Sequence, residues 1–254
     1  MDGGRALLLV DIGNTSIHWA VHDGAWGADR RLPTCAAEAF DAGPTAPAVA
    51  VICPGVPDAA ERIAAELRRR GAEVRVLGED LRAAMPTRYV NPAQLGPDRL
   101  ANAVAAYARV GAAVIVVDVG TALTVDVVSD GGEFLGGAIA PGPHRAWEGL
   151  VSGLVGPGFT SVETDWLDGP PGPASPVGRS TRECLDAGFR LGFAGLVDRL
   201  IREQRQTLGL EAPVLWTGGA ADLIRPHSDH PGELDGLLTL RGLALIHEQA
   251  ASLP

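Results

Sequence analysis

The chain has 254 residues, a length that fits two domains of roughly 100–150 residues each. Hydrophobic residues make up 46% of it and charged residues 20%, which is the composition of a folded protein and excludes a disordered one. The formal net charge is −10, and Lys is absent. An acidic chain without an Arg-rich run is poorly suited to the phosphate backbone of nucleic acid, so we expect no nucleic-acid partner.

The cysteines and the N-terminus predict a cellular compartment. Cys35, Cys53 and Cys184 are widely spaced and form no C-x-x-C pair, which argues against a disulfide framework or a zinc site. Residues 1–5 lack the basic region and the cleavage site of a signal peptide, and no apolar run reaches the ~18 residues of a membrane span. We therefore expect a cytoplasmic protein with no membrane partner.

The first half of the chain alternates strands and helices. Strands are predicted by apolar or alternating runs over residues 6–10, 16–22, 48–53 and 74–77. A helix is predicted over 59–70, where Gly71 ends it, and an Ala-rich helix from Asp98 to about Arg109. Alternation of this kind is typical of α/β architecture.

The second half begins by repeating the first. Residues 7–13, Leu-Leu-Leu-Val-Asp-Ile-Gly, align with residues 114–120, Val-Ile-Val-Val-Asp-Val-Gly, and the alignment continues without a gap to the Asp-Gly turns at 23–24 and 130–131. Many α/β proteins reuse a strand before a glycine turn, but the match of the later turn favours an internal duplication. We predict two similar α/β domains, residues 1–111 and 112–254, on either side of a central cleft.

The remaining elements follow the repeat. They are a strand over 136–142, a Gly- and Pro-rich surface loop over 155–175, a helix over 182–205 capped by Ser180 or Thr181, a short strand over 214–216 and a last helix over about 240–248.

The two Asp-x-Gly turns have the chemistry of a phosphate site. Each lies between two strands, so neither is the strand-to-helix loop of a Walker A or Rossmann motif. Gly13 lets a phosphate approach the backbone, and Asn14 and Thr15 add donors. Asp11 repels phosphate directly. Through water molecules, however, it can hold a Mg²⁺ ion that bridges the phosphates. Asp118 and the residues after it repeat this arrangement, and a plain polar hairpin is the alternative for both turns.

Three further segments carry candidate groups. In Gly96-Pro97-Asp98-Arg99, Asp98 is either a helix cap or a general base, and Arg99 can grip a substrate carboxylate with two parallel hydrogen bonds. Asp118 is a second carboxylate for a cation, and for Asp126, which alternates with it in the strand pattern, the alternative is an exposed strand residue. The small residues at 217–219 would let a flat adenine ring pack against the backbone, which by itself is weak evidence.

Together these motifs resemble type III pantothenate kinases over nearly the whole chain. The motifs that carry the resemblance are residues 11–15, 89–92, 95–99, 118–122 with Thr124 and Asp126, 136–142, 178–181 and 217–220. The resemblance implies an actin-like ATPase fold of the ribonuclease H-like class. It implies ATP-dependent phosphorylation of pantothenate, the first step of coenzyme A synthesis, with Mg²⁺ and a monovalent cation, K⁺ or NH₄⁺. It also implies a homodimer with the pantothenate pocket near its interface.

Roles follow from the resemblance by position. Asp98 is the catalytic proton acceptor. The substrate contacts are Tyr89, Gly96, Pro97, Asp98, Arg99 and Thr181. The ATP contacts are Asp11, Ile12, Gly13, Asn14, Thr15, Ser16, Ile17, His18 and Thr121. Asp118 is the monovalent-cation ligand, and Asp11 holds Mg²⁺ through water. Some members have Lys in place of His18, so this chain lacks a fixed positive charge at that position. Lys is also common where this chain has Arg179, which keeps the charge but changes its geometry.

Two other functions stay open on the sequence. One is a different kinase or phosphatase of the same fold, acting on a sugar, acetate or polyphosphate, which would not require Tyr89 together with residues 96–99. The other is a non-catalytic relative that acts as an accessory regulator of transcription. Such a protein would not need Asp11, Asp98 and Asp118 all intact.

Overall fold

The computed structural model describes residues 6–43, 47–153 and 174–252. Its strands are β1 (Leu7–Ile12), β2 (Ser16–His22), β3 (Arg30–Pro33), β4 (Val49–Pro54), β5 (Glu73–Val76), β6 (Val114–Val119), β7 (Ala122–Val128), β8 (Phe134–Pro141), β9 (Val214–Thr217) and β10 (Glu233–Leu234). Its α-helices are α1 (Pro57–Arg69), α2 (Pro97–Val110), α3 (Pro143–Ser152), α4 (Thr181–Leu208), α5 (Ala221–Ile224) and α6 (Leu238–Ala251). Most of the predicted loop over 155–175 lies outside the described residues.

The strands form two five-stranded sheets with the same plan. Their orders are β3-β2-β1-β4-β5 and β10-β9-β6-β7-β8. The central strand of each sheet, β1 or β6, pairs antiparallel with the strand that follows it and parallel with a later strand, β4 or β9. The repeat in the sequence is therefore a repeat of structure.

The two hairpins differ by one residue in the turn. Asp11 pairs with His18 across β1 and β2, whereas Asp118 pairs with Thr124 across β6 and β7. The Gly13 N–H donates to the carbonyl three residues later, but the Gly120 N–H donates to the carbonyl two residues later. The gap-free alignment of the two copies is therefore wrong beyond the turn, and Thr124, not Val125, occupies the position of His18.

The side chains of β1 alternate between two cores because successive residues of a strand point to opposite faces. Leu8 and Val10 pack in the core that holds α1, while Leu7 and Leu9 pack in the core that holds α2 and α6. Asp11 continues the series of Leu7 and Leu9. Its side chain therefore lies on the face that α2 covers.

The contacts divide the chain into two compact units. The first unit contains the described residues up to Arg109, the segment Gly132–Phe134 and the described residues from Leu237 onward. The second contains Val110–Gly131 and the described part of Leu135–Gly236. This division differs from the predicted one, 1–111 and 112–254, because α6 returns to the first unit, where Leu240 and Leu243 pack in the core with Leu9.

In the second unit, α3 and α4 cover one face of the sheet. Trp147 of α3 and Val197 of α4 are buried in one cluster with Ile115, Val117 and Val119 of β6. Asp118 has the opposite parity and lies on the other face. In the portion of the chain that the structure covers, none of the helices combines the length and the apolar character needed to cross a membrane.

Candidate active site

Asp11 lies at the carboxyl end of β1, directly across from Cys53 of the parallel strand β4. Cys53 is fully buried. Its burial raises the pKa of the thiol well above the usual value, and the charges of Asp11 and Asp98 and a hydrogen bond to Asp11 raise it further. The thiol is therefore protonated at neutral pH and donates to the Asp11 carboxylate. Since both carboxylates act on this one thiol, Asp11 and Asp98 share a neighbourhood.

Asp98 reaches that neighbourhood because α2 begins beside it. The Leu100 N–H donates to the Gly96 carbonyl at 3.1 Å, so Gly96 caps the helix and Asp98 is its second residue. Asp98 Oδ1 accepts a hydrogen bond from the Arg99 N–H at 2.8 Å. A Cβ on Gly96 would lie 2.5 Å from the same oxygen. Asp98 therefore accepts a hydrogen bond from an N–H at the start of the helix, although it is a residue of the first turn and not the N-cap. This bond orients its carboxylate.

Arg99 lies against two neighbouring aromatic rings. Its guanidinium carbon lies 5.6 Å from the centre of the Tyr89 ring and 5.5 Å from the centre of the Phe134 ring. Its Nη1 donates a hydrogen bond to Tyr89 Oη at 2.6 Å. Arg99 is only 6% exposed. A cation stacked and hydrogen-bonded in this way has few orientations available.

The turn after β1 exposes the donors that the sequence predicted. Residues 14–16 are exposed. The turn is braced by Thr34, whose hydroxyl donates to the Gly13 carbonyl at 2.7 Å and whose N–H donates to the Thr15 carbonyl at 3.0 Å. Thr34 carries no local signal for this role, because it lies in a different segment of the chain and only the tertiary structure brings it to the turn.

Three of the predicted ATP contacts are buried. Ile12 and Ile17 have no exposed surface and pair with each other across β1 and β2. His18 Nε2 lies 2.8 Å from Asp29 Oδ2. Burial lowers the pKa of His18, the charge of Arg31 lowers it further, and the bond to Asp29 opposes both. His18 is therefore uncharged at neutral pH and cannot replace a lysine as a fixed positive charge.

Asp118 begins a second group of residues, in the second unit. It pairs with Thr124 of β7 and with Thr217 of β9. Gly218 follows β9 with a φ of +93°, and a Cβ there would lie 2.5 Å from both Asp118 Oδ1 and the backbone of Val119. Only glycine allows this approach of the turn to the carboxylate.

The turn after β8 closes on the same place. The Gly142 N–H donates to the Thr121 carbonyl at 3.0 Å. A Cβ on Gly142 would collide with the carbonyl oxygen of Gly120. The turns after β6, β8 and β9 therefore converge near Asp118 and Thr121, and they do so largely through backbone groups.

Asp126 is buried, which excludes the exposed alternative. Only 2% of its surface is exposed, and its Oδ2 accepts a hydrogen bond from the Thr124 hydroxyl at 3.2 Å. A Cβ on Gly137 would collide with the Asp126 carboxylate, so β8 approaches it closely. Asp126 lies two residues from Thr124 on the same face of β7.

The predicted site residues are distributed over both units. The first unit brings together Asp11, Gly13, His18, Tyr89, Gly96, Pro97, Asp98 and Arg99. The second contains Asp118, Thr121 and Thr181. Thr181 is the first residue of α4, whose N-cap is Ser180, with its Oγ accepting from the Glu183 N–H at 3.2 Å.

Besides Thr34, two other residues of the first unit were not identified from the sequence. Cys53 ends the predicted strand over 48–53, and the parallel pairing that places it against Asp11 could not be read from the chain. Phe134 comes just before the motif at 136–142, and this position is the one feature of the sequence that could have indicated a role at the site.

A cation could be held at Asp11 or Asp118 through one carboxylate at a time. Within the three stretches that the structure describes, no three His, Cys, Asp or Glu side chains form a group that could bind a metal. A single carboxylate suits Mg²⁺, which keeps several of its water ligands, and it also suits a cation that takes backbone carbonyl oxygens.

Comparison with known proteins identifies a family and a fold. Residues 7–203 match the family model described as type III pantothenate kinase. The chain is similar to type III pantothenate kinases of Thermomicrobium roseum, with 44% identity over 65% of this chain and 61% of the relative, and of Anaeromyxobacter sp. (strain K), with 35% identity over 96% and 99%. It thus spans under two thirds of the first relative and nearly all of the second.

A solved structure similar to this chain is the ethanolamine utilization protein EutJ from Carboxydothermus hydrogenoformans. The TM-score is 0.53 at 18% identity, over 95% of this chain and 89% of that one. At this identity the likeness concerns the fold alone. It confirms the predicted α/β, actin-like ATPase fold with two similar domains.

Proposed function

Because this chain belongs to the type III pantothenate kinase family, we propose that it transfers the γ-phosphoryl group of ATP to the primary hydroxyl of pantothenate. The product is 4′-phosphopantothenate, and the reaction is the first step of coenzyme A synthesis. The observation that carries the proposal is the geometry at the start of α2, where Asp98 Oδ1 accepts from the Arg99 N–H at 2.8 Å and Arg99 Nη1 donates to Tyr89 Oη at 2.6 Å.

Asp98 is the proton acceptor in this mechanism. Phosphoryl transfer depends mainly on positioning and on stabilising charge. As the pantothenate oxygen bonds to the γ-phosphorus and the bond to ADP breaks, the hydroxyl proton passes to the Asp98 carboxylate. The bond from the Arg99 N–H to Asp98 Oδ1 holds that carboxylate in place for the transfer.

Arg99 and Tyr89 bind the acid end of pantothenate. A guanidinium recognises a carboxylate by charge and by paired N–H donors. Tyr89 Oη, which accepts from Arg99 Nη1 at 2.6 Å, adds a hydroxyl at the same place. Gly96 and Pro97 shape the approach to Asp98, and Thr181, the first residue of α4, is a further substrate contact in this proposal.

The two Asp-x-Gly turns bind ATP and its cations. The exposed donors of residues 14–16 and Thr121 contact phosphate oxygens. Asp11 would hold Mg²⁺ through water, and when bound this ion neutralises charge on the β- and γ-phosphates. Asp118, with the backbone of the turns that converge on it, would hold K⁺ or NH₄⁺. A homodimer and a cytoplasmic location belong to the same proposal.

One assay tests the proposed function. ADP release from ATP is measured with and without pantothenate, in K⁺, NH₄⁺ and Na⁺ buffers that all contain Mg²⁺. We expect release that depends on pantothenate and is faster with K⁺ or NH₄⁺ than with Na⁺. Absence of pantothenate-dependent release in every salt would exclude the activity, and equal rates in all three would exclude a preference for K⁺ or NH₄⁺ at the proposed Asp118 site.

A further inference from the structure

Phe134 belongs to the first unit although most of its strand belongs to the second. It is the first residue of β8, and Gly132–Phe134 joins the first unit while Leu135 begins the next segment of the second. Its N–H donates to the Pro86 carbonyl at 2.8 Å, and its carbonyl accepts from the Arg88 N–H at 2.9 Å. These two bonds fasten the start of β8 to the segment that leads to Tyr89.

The Phe134 ring, the Tyr89 ring and the Arg99 guanidinium form a triangle of mutual neighbours. The ring is fully buried, and its centre lies 5.8 Å from that of Tyr89 at an interplanar angle of 60°. The Arg99 guanidinium is within cation–π distance of both rings. Tyr89 also offers Arg99 a hydrogen bond, whereas Phe134 offers only the face of a ring. Phe134 is therefore suited to fix where the guanidinium lies and not to bind substrate itself.

We propose that Phe134 is a positioning residue that holds the Arg99 guanidinium ready for a substrate carboxylate. The proposal rests on the proposed function, since it takes Arg99 as the group that binds the acid. An arginine that is already fixed gives up little conformational freedom when the acid arrives, so its hydrogen bonds contribute more fully to binding. A Phe134 that only fills the core would instead affect folding, and any effect on the two substrates would be alike.

The kinetic test compares the wild type with Phe134→Leu, which keeps an apolar side chain but removes the ring face. We expect the KM for pantothenate to rise about tenfold, with kcat and the KM for ATP changed less than about twofold. Phe134→Tyr keeps the ring and should restore most of the lost affinity. Ile63→Val is the matched control, because Ile63 is buried in the core on the other face of the sheet and should leave both KM values unchanged.

A second measurement does not depend on the substrate. Phenylglyoxal modifies accessible arginines, and peptide mass spectrometry follows the modification of Arg99 in each variant. We expect Arg99 to react several times faster in Phe134→Leu than in the wild type or in Ile63→Val. An unchanged rate at Arg99, or an equal rise in both KM values, would overturn the positioning role. If the wild type shows no pantothenate-dependent turnover, the proposed function fails, and the labelling still decides the role of Phe134.

Discussion

Cys53 lies across from Asp11 in the parallel pairing of β1 and β4, and its thiol donates a hydrogen bond to the Asp11 carboxylate. A neutral donor thus contacts Asp11, one of the two acids that the proposed reaction uses. Burial keeps this thiol in its donor form, since a thiolate there would be repelled by Asp11 and Asp98.

Replacing Cys53 should therefore show how much that hydrogen bond contributes to the free energy of unfolding. Cys53→Ala leaves a carboxylate oxygen without its donor, at a cost of about 1–3 kcal/mol, whereas Cys53→Ser keeps a donor and should cost less. Urea unfolding measures both. Equal stability of the two variants would show that the hydrogen bond from Cys53 to Asp11 does not stabilise the protein.

The burial of Cys53 is checked separately. A thiol reagent should modify the exposed Cys35 and Cys184 quickly and Cys53 only on unfolding.

Asp98→Asn should lower kcat by about 10²-fold or more with little change in ATP affinity, because the amide cannot take up the proton. Asp58→Asn is a matched control, since Asp58 also follows a proline in the first turn of a helix, α1. Steady-state kinetics with nucleotide binding measured separately would check this. Near-normal turnover of Asp98→Asn would show that another group accepts the proton.

His18 should make stability depend on pH below neutrality. Its pKa is lower in the folded protein than the ordinary value of 6.5, so the unfolded chain binds the proton more readily. The contribution of neutral His18 to the free energy of unfolding is therefore fully present above about pH 6.5. It is lost as the pH falls through the pKa of His18 in the folded protein. The pKa of Asp29 is lowered from 3.8, so its stabilising effect is lost only at more acidic pH.

The comparison is between the wild type and His18→Asn. Urea unfolding between pH 5 and 7 should show a smaller loss of stability in the variant. His247, whose pKa is also lowered by burial, makes stability depend on pH in the same direction. The same measurement on His247→Asn therefore separates its contribution from that of His18. Parallel curves for the wild type and His18→Asn would rule out the contribution of His18.

Gly218→Ala should destabilise the second unit by more than about 2 kcal/mol, because a Cβ meets Asp118 and the residue already has a left-handed φ. Gly192→Ala is the control. Gly192 lies inside α4 with open space where a Cβ would go, so this change should stabilise the protein by up to about 1 kcal/mol. Urea midpoints for the two variants should therefore move in opposite directions, and a harmless Gly218→Ala would contradict the close approach.

Much of the architecture was predictable from local pattern. Apolar runs ending in Asp-x-Gly predicted β1 and β6, and helical periodicity predicted α1, α2 and α4, because period and turn chemistry are properties of neighbouring residues. The motifs also identified the family, which is confirmed. Elements with weaker local signals, such as the short, polar edge strand β3 and the helix α3, were not predicted.

Which distant residues meet depends on the tertiary structure. The residue pattern indicated that Asp11, Asp98 and Arg99 carry suitable chemistry and that two similar halves follow one another. It did not determine that Cys53 faces Asp11, that Phe134 lies against Arg99 or that the second hairpin turn is one residue shorter. These relationships depend on strand pairing and on packing between segments far apart in the chain. A local pattern cannot specify them, because the free energy that selects them comes from contacts made only when the whole unit folds.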